Sequence, residues 1–442
     1  MGNALGAVGG DMTATNINPA GMGIYRSNEL TASLNLMDNF HTSDYYGTRS
    51  TGNAFRLSIP NIGWVSTKQR SNYRGVRFTQ FGITLNRHND FNMHTLARGI
   101  NPTSSKIDNY LAQIDGYNPD DLRDAFPNDI FPALSTYLID IYEDEDGEYY
   151  DSPVPQGNIW QGEGSQFKGR SEEWTFAGSA NIEERLFIGI SANLGHIVRK
   201  GTKEFKESSV EGTDTDFNQW VFTEHINTNA WGGNLKIGMI YHATPWLRLG
   251  AAFHTPTIYR VTESWQTDTE SEISWITRKY ISPDSYYEYT FIKPLKWVGS
   301  MAFVVGQRGM VSLDAEYTNF GAALFDATDW DYGKVNDDIE SKYGRTLNFR
   351  LGTEWQLNNS YLRFGAGYYG SPFGVKEALG SIKKTSIGIS LPVSASTTFD
   401  FAYELTHGKS GIYLYDAGEL GIEPIAQQQF KHNFLTTLKV RF

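Results

Sequence analysis

The last nine residues, Phe434-Leu435-Thr436-Thr437-Leu438-Lys439-Val440-Arg441-Phe442, carry the rhythm that decides the fold. Phe434, Thr436, Leu438, Val440 and Phe442 form one set, apolar or neutral, and Leu435, Thr437, Lys439 and Arg441 form the other, which holds the charge. A repeat of two residues is the mark of a strand with one face buried and one wet. The same alternation runs through Leu186, Ile188, Ile190, Ala192 and Leu194 and through Leu347, Phe349, Leu351, Thr353 and Trp355. Fourteen such segments follow one another, near residues 30–40, 53–67, 75–92, 171–182, 185–201, 225–243, 246–265, 286–306, 308–319, 344–357, 360–370, 381–392, 396–409 and 430–442. Many exceed the mean soluble strand of about 5–6 residues. They reach the ~9–11 residues that cross a bilayer at a tilt.

The connections sharpen this. Every even-numbered one is short, as at Glu183-Glu184, Thr244-Pro245, Gly306-Gln307 and Asn358-Asn359, and every odd-numbered one reads as long, the longest spanning 93–170. Tight turns on one rim and loops on the other are expected of an antiparallel barrel in an outer membrane, with both chain ends on the short-turn side. The chain of 442 residues contains no apolar run long enough for a membrane helix, and its net charge of −12 argues against nucleic acid as a partner. It has no cysteine, which excludes disulfides and thiolate metal sites.

Residues 1–29 are rich in glycine and alanine and cannot form a core of their own. They read either as a disordered leader or as a hatch threaded into the lumen, where small residues permit close backbone approach. The 93–170 loop carries two helical faces, Ile107, Tyr110, Leu111 and Ile114, then Ile130, Phe131, Leu134, Tyr137, Leu138 and Ile141. Of these, Ile107, Tyr110, Leu111, Phe131, Leu134 and Leu138 are candidates for capturing hydrophobic cargo. The loop holds five basic against fourteen acidic residues, so most of the net charge lies there.

Chemistry is sparse. Nine histidines form no metal-binding spacing, and Gly164-Ser165, Gly178-Ser179 and Gly299-Ser300 lack the spacing of a nucleophile elbow. Asp144, Asp146 and Gly147 fall short of a calcium loop and read as a solvated acidic tip. No catalytic residue, metal or cofactor is expected. Charged residues alternate with apolar ones on several strands: Asp314, Glu316, Arg350, Glu354, Arg363, Asp400, Glu404 and Lys439. In a membrane barrel that face is the lumen, because lipid-facing Arg or Lys costs about 2–4 kcal/mol at the midplane. Ion pairs that fill the lumen and anchor a plug are the first role for them, ligand guidance the second. In the third strand the apolar set changes parity between Phe78 and Phe81. The slip at Gln80-Phe81 predicts either a simple bulge or a break that opens the wall sideways.

Several motifs resemble the FadL/TodX family of outer-membrane transporters: Gly9-Gly10-Asp11 with Asn18-Pro19-Ala20-Gly21, Leu249-Gly250-Ala251-Ala252-Phe253-His254-Thr255-Pro256, Phe349-Arg350-Leu351-Gly352-Thr353-Glu354-Trp355, and the terminal Phe442. The resemblance runs end to end, with the Asn-Pro-Ala hatch motif its most specific part. It implies a fourteen-stranded barrel at 30–442 closed by a 1–29 hatch, in the bacterial outer membrane. It also implies capture of hydrophobic small molecules (long-chain fatty acids or similar) at the extracellular mouth, and lateral release beside a kinked third strand. Detergent or lipid, and lipopolysaccharide, are the expected partners. The alternative is an adaptor for a secretion, insertion or surface-attachment complex, with other outer-membrane proteins as partners.

Overall fold

A computed structural model describes residues 1–70, 75–144, 147–211, 216–374, 380–415 and 422–442, with the side chains at 144–148 left aside. Asp144, Asp146 and Gly147, the acidic tip, therefore lie outside the described side chains. Fourteen antiparallel strands close into one barrel. They are β1 (Glu29–Tyr45), β2 (Thr48–Gln69), β3 (Val76–Asp90, continued by Met93–Asn101), β4 (Ile159–Ile182), β5 (Leu186–Ser208), β6 (Phe217–His242) and β7 (Leu247–His254, continued by Thr257–Ile273). The ring goes on with β8 (Ser285–Lys293, continued by Lys296–Val305), β9 (Gly309–Asn319), β10 (Arg345–Leu357), β11 (Ser360–Tyr369), β12 (Ile382–Pro392), β13 (Thr397–Ile412) and β14 (Ile425–Arg441). Each pairs with the next, and β14 pairs with β1 from Glu29–Arg441 to Asp44–Ala426, so the ring closes.

Alternation along each strand sorts the side chains. On β5, Phe187, Gly189, Ser191 and Asn193 are buried within, while Ile188, Ile190 and Leu194 are exposed without. Phe55, Leu57, Ile237 and Phe434 extend the exposed apolar belt around the barrel. A soluble protein rarely exposes such a surface, but a bilayer requires it. Trp174, Leu194 and Trp231 mark its upper boundary on β4 to β6.

Two expectations about the connections change. The first connection is only Tyr46-Gly47, a turn in which both residues have positive φ, 44° and 74°, as a tight hairpin demands. β1 and β2 keep pairing above the bilayer with polar residues on both faces, which hides them from a search for alternation. For the same reason β3 runs to Asn101 and β4 starts at Ile159, so the long loop spans 102–158 rather than 93–170. The wall is uneven: β4, β5 and β6 have 24, 23 and 26 residues, whereas β10, β11 and β12 have 13, 10 and 11.

The long loop folds into a cap. Its helices are α1 (Lys106–Ile114), α2 (Leu122–Ala125) and α3 (Ile130–Ser135), followed by a hairpin of Asp140–Asp144 and Gly147–Asp151. Ser105 caps α1: its hydroxyl accepts from the Ile107 amide, and Asp108 accepts from the Ser105 amide. A further helix, α4 (Gly333–Lys342), lies in the β9–β10 connection.

Candidate functional site

Inside the ring lies the hatch, residues 1–28, two 3-10 turns (Met12–Asn16 and Pro19–Ile24) with mostly buried side chains. Asn18 organises it. Its Oδ1 accepts from the Ala20 amide at 3.0 Å, starting the second turn, and Pro19 supplies the fixed φ of the first helical position. Its Nδ2 donates to Gly6 O at 2.8 Å and to Met239 O on β6 at 3.0 Å. Ala20 and Gly21 are buried in that turn. The wall is shaved to receive the motif: a Cβ at Gly238 would collide with Asn18 Oδ1, and one at Gly189 with Pro19 and Ala20.

All eight predicted lumen charges join ion pairs. Arg350 meets Glu316 at 2.9 Å and Asp314 at 3.7 Å, Arg363 meets Glu354 at 2.6 Å and Asp400 at 3.2 Å, and Lys439 meets Asp400 at 3.0 Å. Glu404 pairs with Lys384. Two contacts tie this network to the hatch: Lys439 to Asp11 at 2.7 Å, and the Gly6 amide donating to Asp314 at 3.1 Å. Asp11, Lys296, Lys384 and the Lys236–Glu173–His88 group are partners that strand alternation alone did not single out.

Gln80 and Phe81 are not where the wall parts. β3 pairs without interruption over 78–86 with β2 and over 78–87 with β4. Gln80 points inward, donating to Gly23 O and Tyr25 O of the hatch and accepting from Ser179, while Phe81 faces out against Trp64. The apparent slip arises because Phe78 lies beneath the Arg26 guanidinium of the hatch, 4.8 Å from it, and so is an apolar residue on the lumen side. The irregularities of β3 fall at Arg77 and His88 instead.

The β2–β3 pairing ends one level higher. The β2–β3 ladder ends at Asn61–Asn86, and among the described residues no ladder pair joins 48–60 of β2 to β3. β2 carries a bulge there, two residues, Ile59 and Pro60, opposite Leu34, and its outward set changes from Phe55, Leu57 and Ile59 to Ile62 and Trp64. Beyond Asn92, β3 pairs with β4 alone and leans inward, so that a Cβ at Gly52 would strike His94 O and one at Gly99 would crowd Tyr45 O. Side chains bind the parting strands. At the last rung Asn61 donates to Asn86, which donates to Asn16 of the hatch at 3.0 Å. Above it Arg56 donates to Gly169 O at 3.2 Å and lies 3.6 Å from Asp90, itself held by Arg87. The sequence signal for this seam was the parity change around Pro60 in β2.

The cap residues expected to capture cargo form a core. Ile107, Tyr110 and Leu138 are buried with Ile114, Leu122 and Ile130 against Phe205, Trp220 and Phe222 of the raised wall, and Leu111 and Leu134 pack at its edge. Phe131 lies between Tyr280, at 5.6 Å, and the Arg123 guanidinium. The apolar helix faces turn to the aromatic wall because that burial is what holds the cap. Glu207, fully buried, accepts from Ser105 Oγ, the Lys106 amide, Gln161 Nε2 and Trp220 Nε1 at 2.6–2.9 Å and so pins the start of α1. The Lys106 amine sits over Phe222 at 4.1 Å and near Phe205 and Tyr110, and this burial lowers its pKa to about 8.

No protein-family model matches the chain, and no curated protein does. Solved structures do. A FadL homologue of Pseudomonas aeruginosa superposes with a TM-score of 0.58 at 10% identity, covering 99% of this chain and 95% of that one. The toluene transporter TodX of Pseudomonas putida gives 0.56 at 12%, covering 100% and 98%. The CymD monoaromatic hydrocarbon channel gives 0.53 at 11%, covering 99% and 94%. In strand number, closure and coverage from end to end, the chain has the fold of the FadL/TodX outer-membrane barrels.

Proposed function

We propose that the barrel carries hydrophobic small molecules through the outer membrane and releases them sideways, through the seam between β2 and β3 above Asn61 and Asn86. The observation that carries this reading is the end of that ladder in a wall otherwise paired all round. Unpaired backbone is tolerated at membrane depth only where protein or a cavity receives it. Phe55, Leu57 and Ile59 border the seam on the lipid side, so an apolar molecule leaving there stays out of water. The solved neighbours named as a toluene transporter and a monoaromatic hydrocarbon channel support this substrate class. The acidic cap repels carboxylates, which favours uncharged hydrophobes over fatty acids.

The chain has no cysteine, which makes the test clean. In Arg56→Cys/Asp90→Cys, a short bifunctional thiol reagent bridges the seam. Uptake of toluene and of a long-chain fatty acid is then followed in cells. Blocked uptake, restored by a cleavable linker, is the expected result. Undiminished uptake by the bridged barrel would remove the lateral route.

The adaptor reading has one observation in its favour. The cap hairpin presents Tyr142 and Tyr149, stacked at 5.7 Å and each nearly half exposed, away from the cap core. An adaptor role predicts that bridging the seam leaves function intact while Tyr142→Ala/Tyr149→Ala abolishes it.

A further inference from the structure

The outer face of β4 and β5 carries a charge arrangement that neither the lumen nor the seam explains. Lys168 and Lys200 stand directly opposite each other in the ladder, and both side chains are exposed. Like charges in register repel. Among the described residues neither lysine has an ion pair, whereas the neighbouring outward arginines do: Arg170 and Arg87 share Glu172 at 2.9 and 2.7 Å. The lysine pair is thus a net positive spot beside an already balanced cluster.

Its level in the membrane follows from the register. Descending from Lys168–Lys200, the successive outward pairs are Arg170–Val198, Glu172–His196 and Trp174–Leu194. Trp174 and Leu194 top the apolar belt, and His196 stacks on Trp231 at 3.9 Å in the interfacial row. The lysines stand six residues above Leu194, about 20 Å along a tilted strand at ~3.3 Å per residue. They lie on the side of the long connections, hence at the headgroups of the outer leaflet.

We propose that Lys168 and Lys200 together bind a phosphate group of an outer-leaflet glycolipid, whose acyl chains lie against the Trp174–Leu194 surface below. Opposed ammonium groups at headgroup height, over an apolar wall, match a phosphorylated amphiphile better than a free anion, which would gain nothing from that wall. This proposal needs only the barrel's place in the outer membrane and is independent of what the barrel transports.

The test uses the full barrel in detergent, with native mass spectrometry and thermal shift as readouts. The probes are bisphosphorylated lipid A, dephosphorylated lipid A and inorganic phosphate. Wild type should bind the bisphosphorylated lipid in preference to the other two. Lys168→Gln/Lys200→Gln should bind it about thirty-fold more weakly, and Lys168→Arg/Lys200→Arg should retain it. A heat-dependent gel shift equal to wild type confirms that each variant is folded. Equal binding by the Gln variant, or equal binding of dephosphorylated lipid by wild type, would overturn the proposal. Protection by inorganic phosphate equal to that of the lipid would mean a soluble-anion site and would overturn it as well.

Discussion

The hatch and the cap fill opposite ends of one lumen and differ in the balance of forces that holds each. The hatch is short and rich in glycine; small apolar clusters, such as Ala20 with Phe187 and Ile240 and Met12 and Met22 with Val65, are joined by polar ties to the wall: Asn18 to Met239 O, Lys439 to Asp11, Asp314 to the Gly6 amide. The cap is helical and held by an apolar core of Ile107, Ile114, Leu122 and Ile130 against wall aromatics. Apolar burial is insensitive to small displacements, whereas hydrogen bonds lost over a fraction of an ångström leave buried groups unpaired. The cap thus rests mainly on one large apolar core, and the hatch on several small ones whose seating its polar contacts fix.

Three experiments press on that contrast, starting with the largest effect. Ile114→Ala removes a fully buried side chain from the cap. It should destabilise the cap by about 2–4 kcal/mol. Proteolysis should then cut between 115 and 158 while the barrel keeps its heat-dependent gel shift. Cleavage no faster than wild type would mean that the wall, not the core, holds the cap.

Asn18→Ala should loosen the hatch by about 1–2 kcal/mol, seen as faster amide exchange over 1–28 with barrel melting unchanged. Gly238→Ala attacks the same contact from the wall side, since the new Cβ would displace the Asn18 carboxamide. If contact is what matters, the two changes combined should do little more than either alone. Full additivity would show that Asn18 acts within the hatch only, through the Ala20 amide.

The smallest effect is a pH dependence confined to the cap. Lys106 titrates near 8 when folded against 10.5 when exposed. Between those values the unfolded cap binds more protons than the folded one, so cap stability rises with pH across this window and is flat below it. Lys106→Met should abolish that rise, read as the difference between wild type and variant in amide exchange of α1. The same slope in both would assign it to other groups.

Sequence reading succeeded where a residue's environment follows from chain periodicity. Alternation gave the fourteen strands because each faces lipid on one side, and the lumen charges followed from the same parity. It stopped at Phe40 and Asn92, short of the strand ends at Tyr45 and Asn101, because above the bilayer both faces are polar and the period loses contrast. It misplaced the wall defect because Phe78 is apolar yet faces in, answering to Arg26, a residue some fifty positions away. The bulge at the end of the β2–β3 ladder was legible in Phe55, Leu57, Ile59, Ile62 and Trp64, where parity changes around a proline. The cap helices were legible as amphipathic, but their apolar faces could not reveal that the wall rises to meet them, since Phe205, Trp220 and Phe222 lie in strand extensions with no lipid to face. Glu207 gave no signal, because its four donors come together only in space.

The unequal wall has a consequence for direction. β6 has 26 residues and β12 has 11, a difference of fifteen. At ~3.3 Å per residue this is about 50 Å along the strand. A cylinder cut on such a slant has a mouth that looks along the cell surface rather than away from it. The tall side acts as a backstop and the low side as a threshold. On the transport reading proposed above, molecules creeping across the outer face of the membrane from the low side would reach the capped mouth first, and those arriving from the opposite quarter would meet the back of a wall.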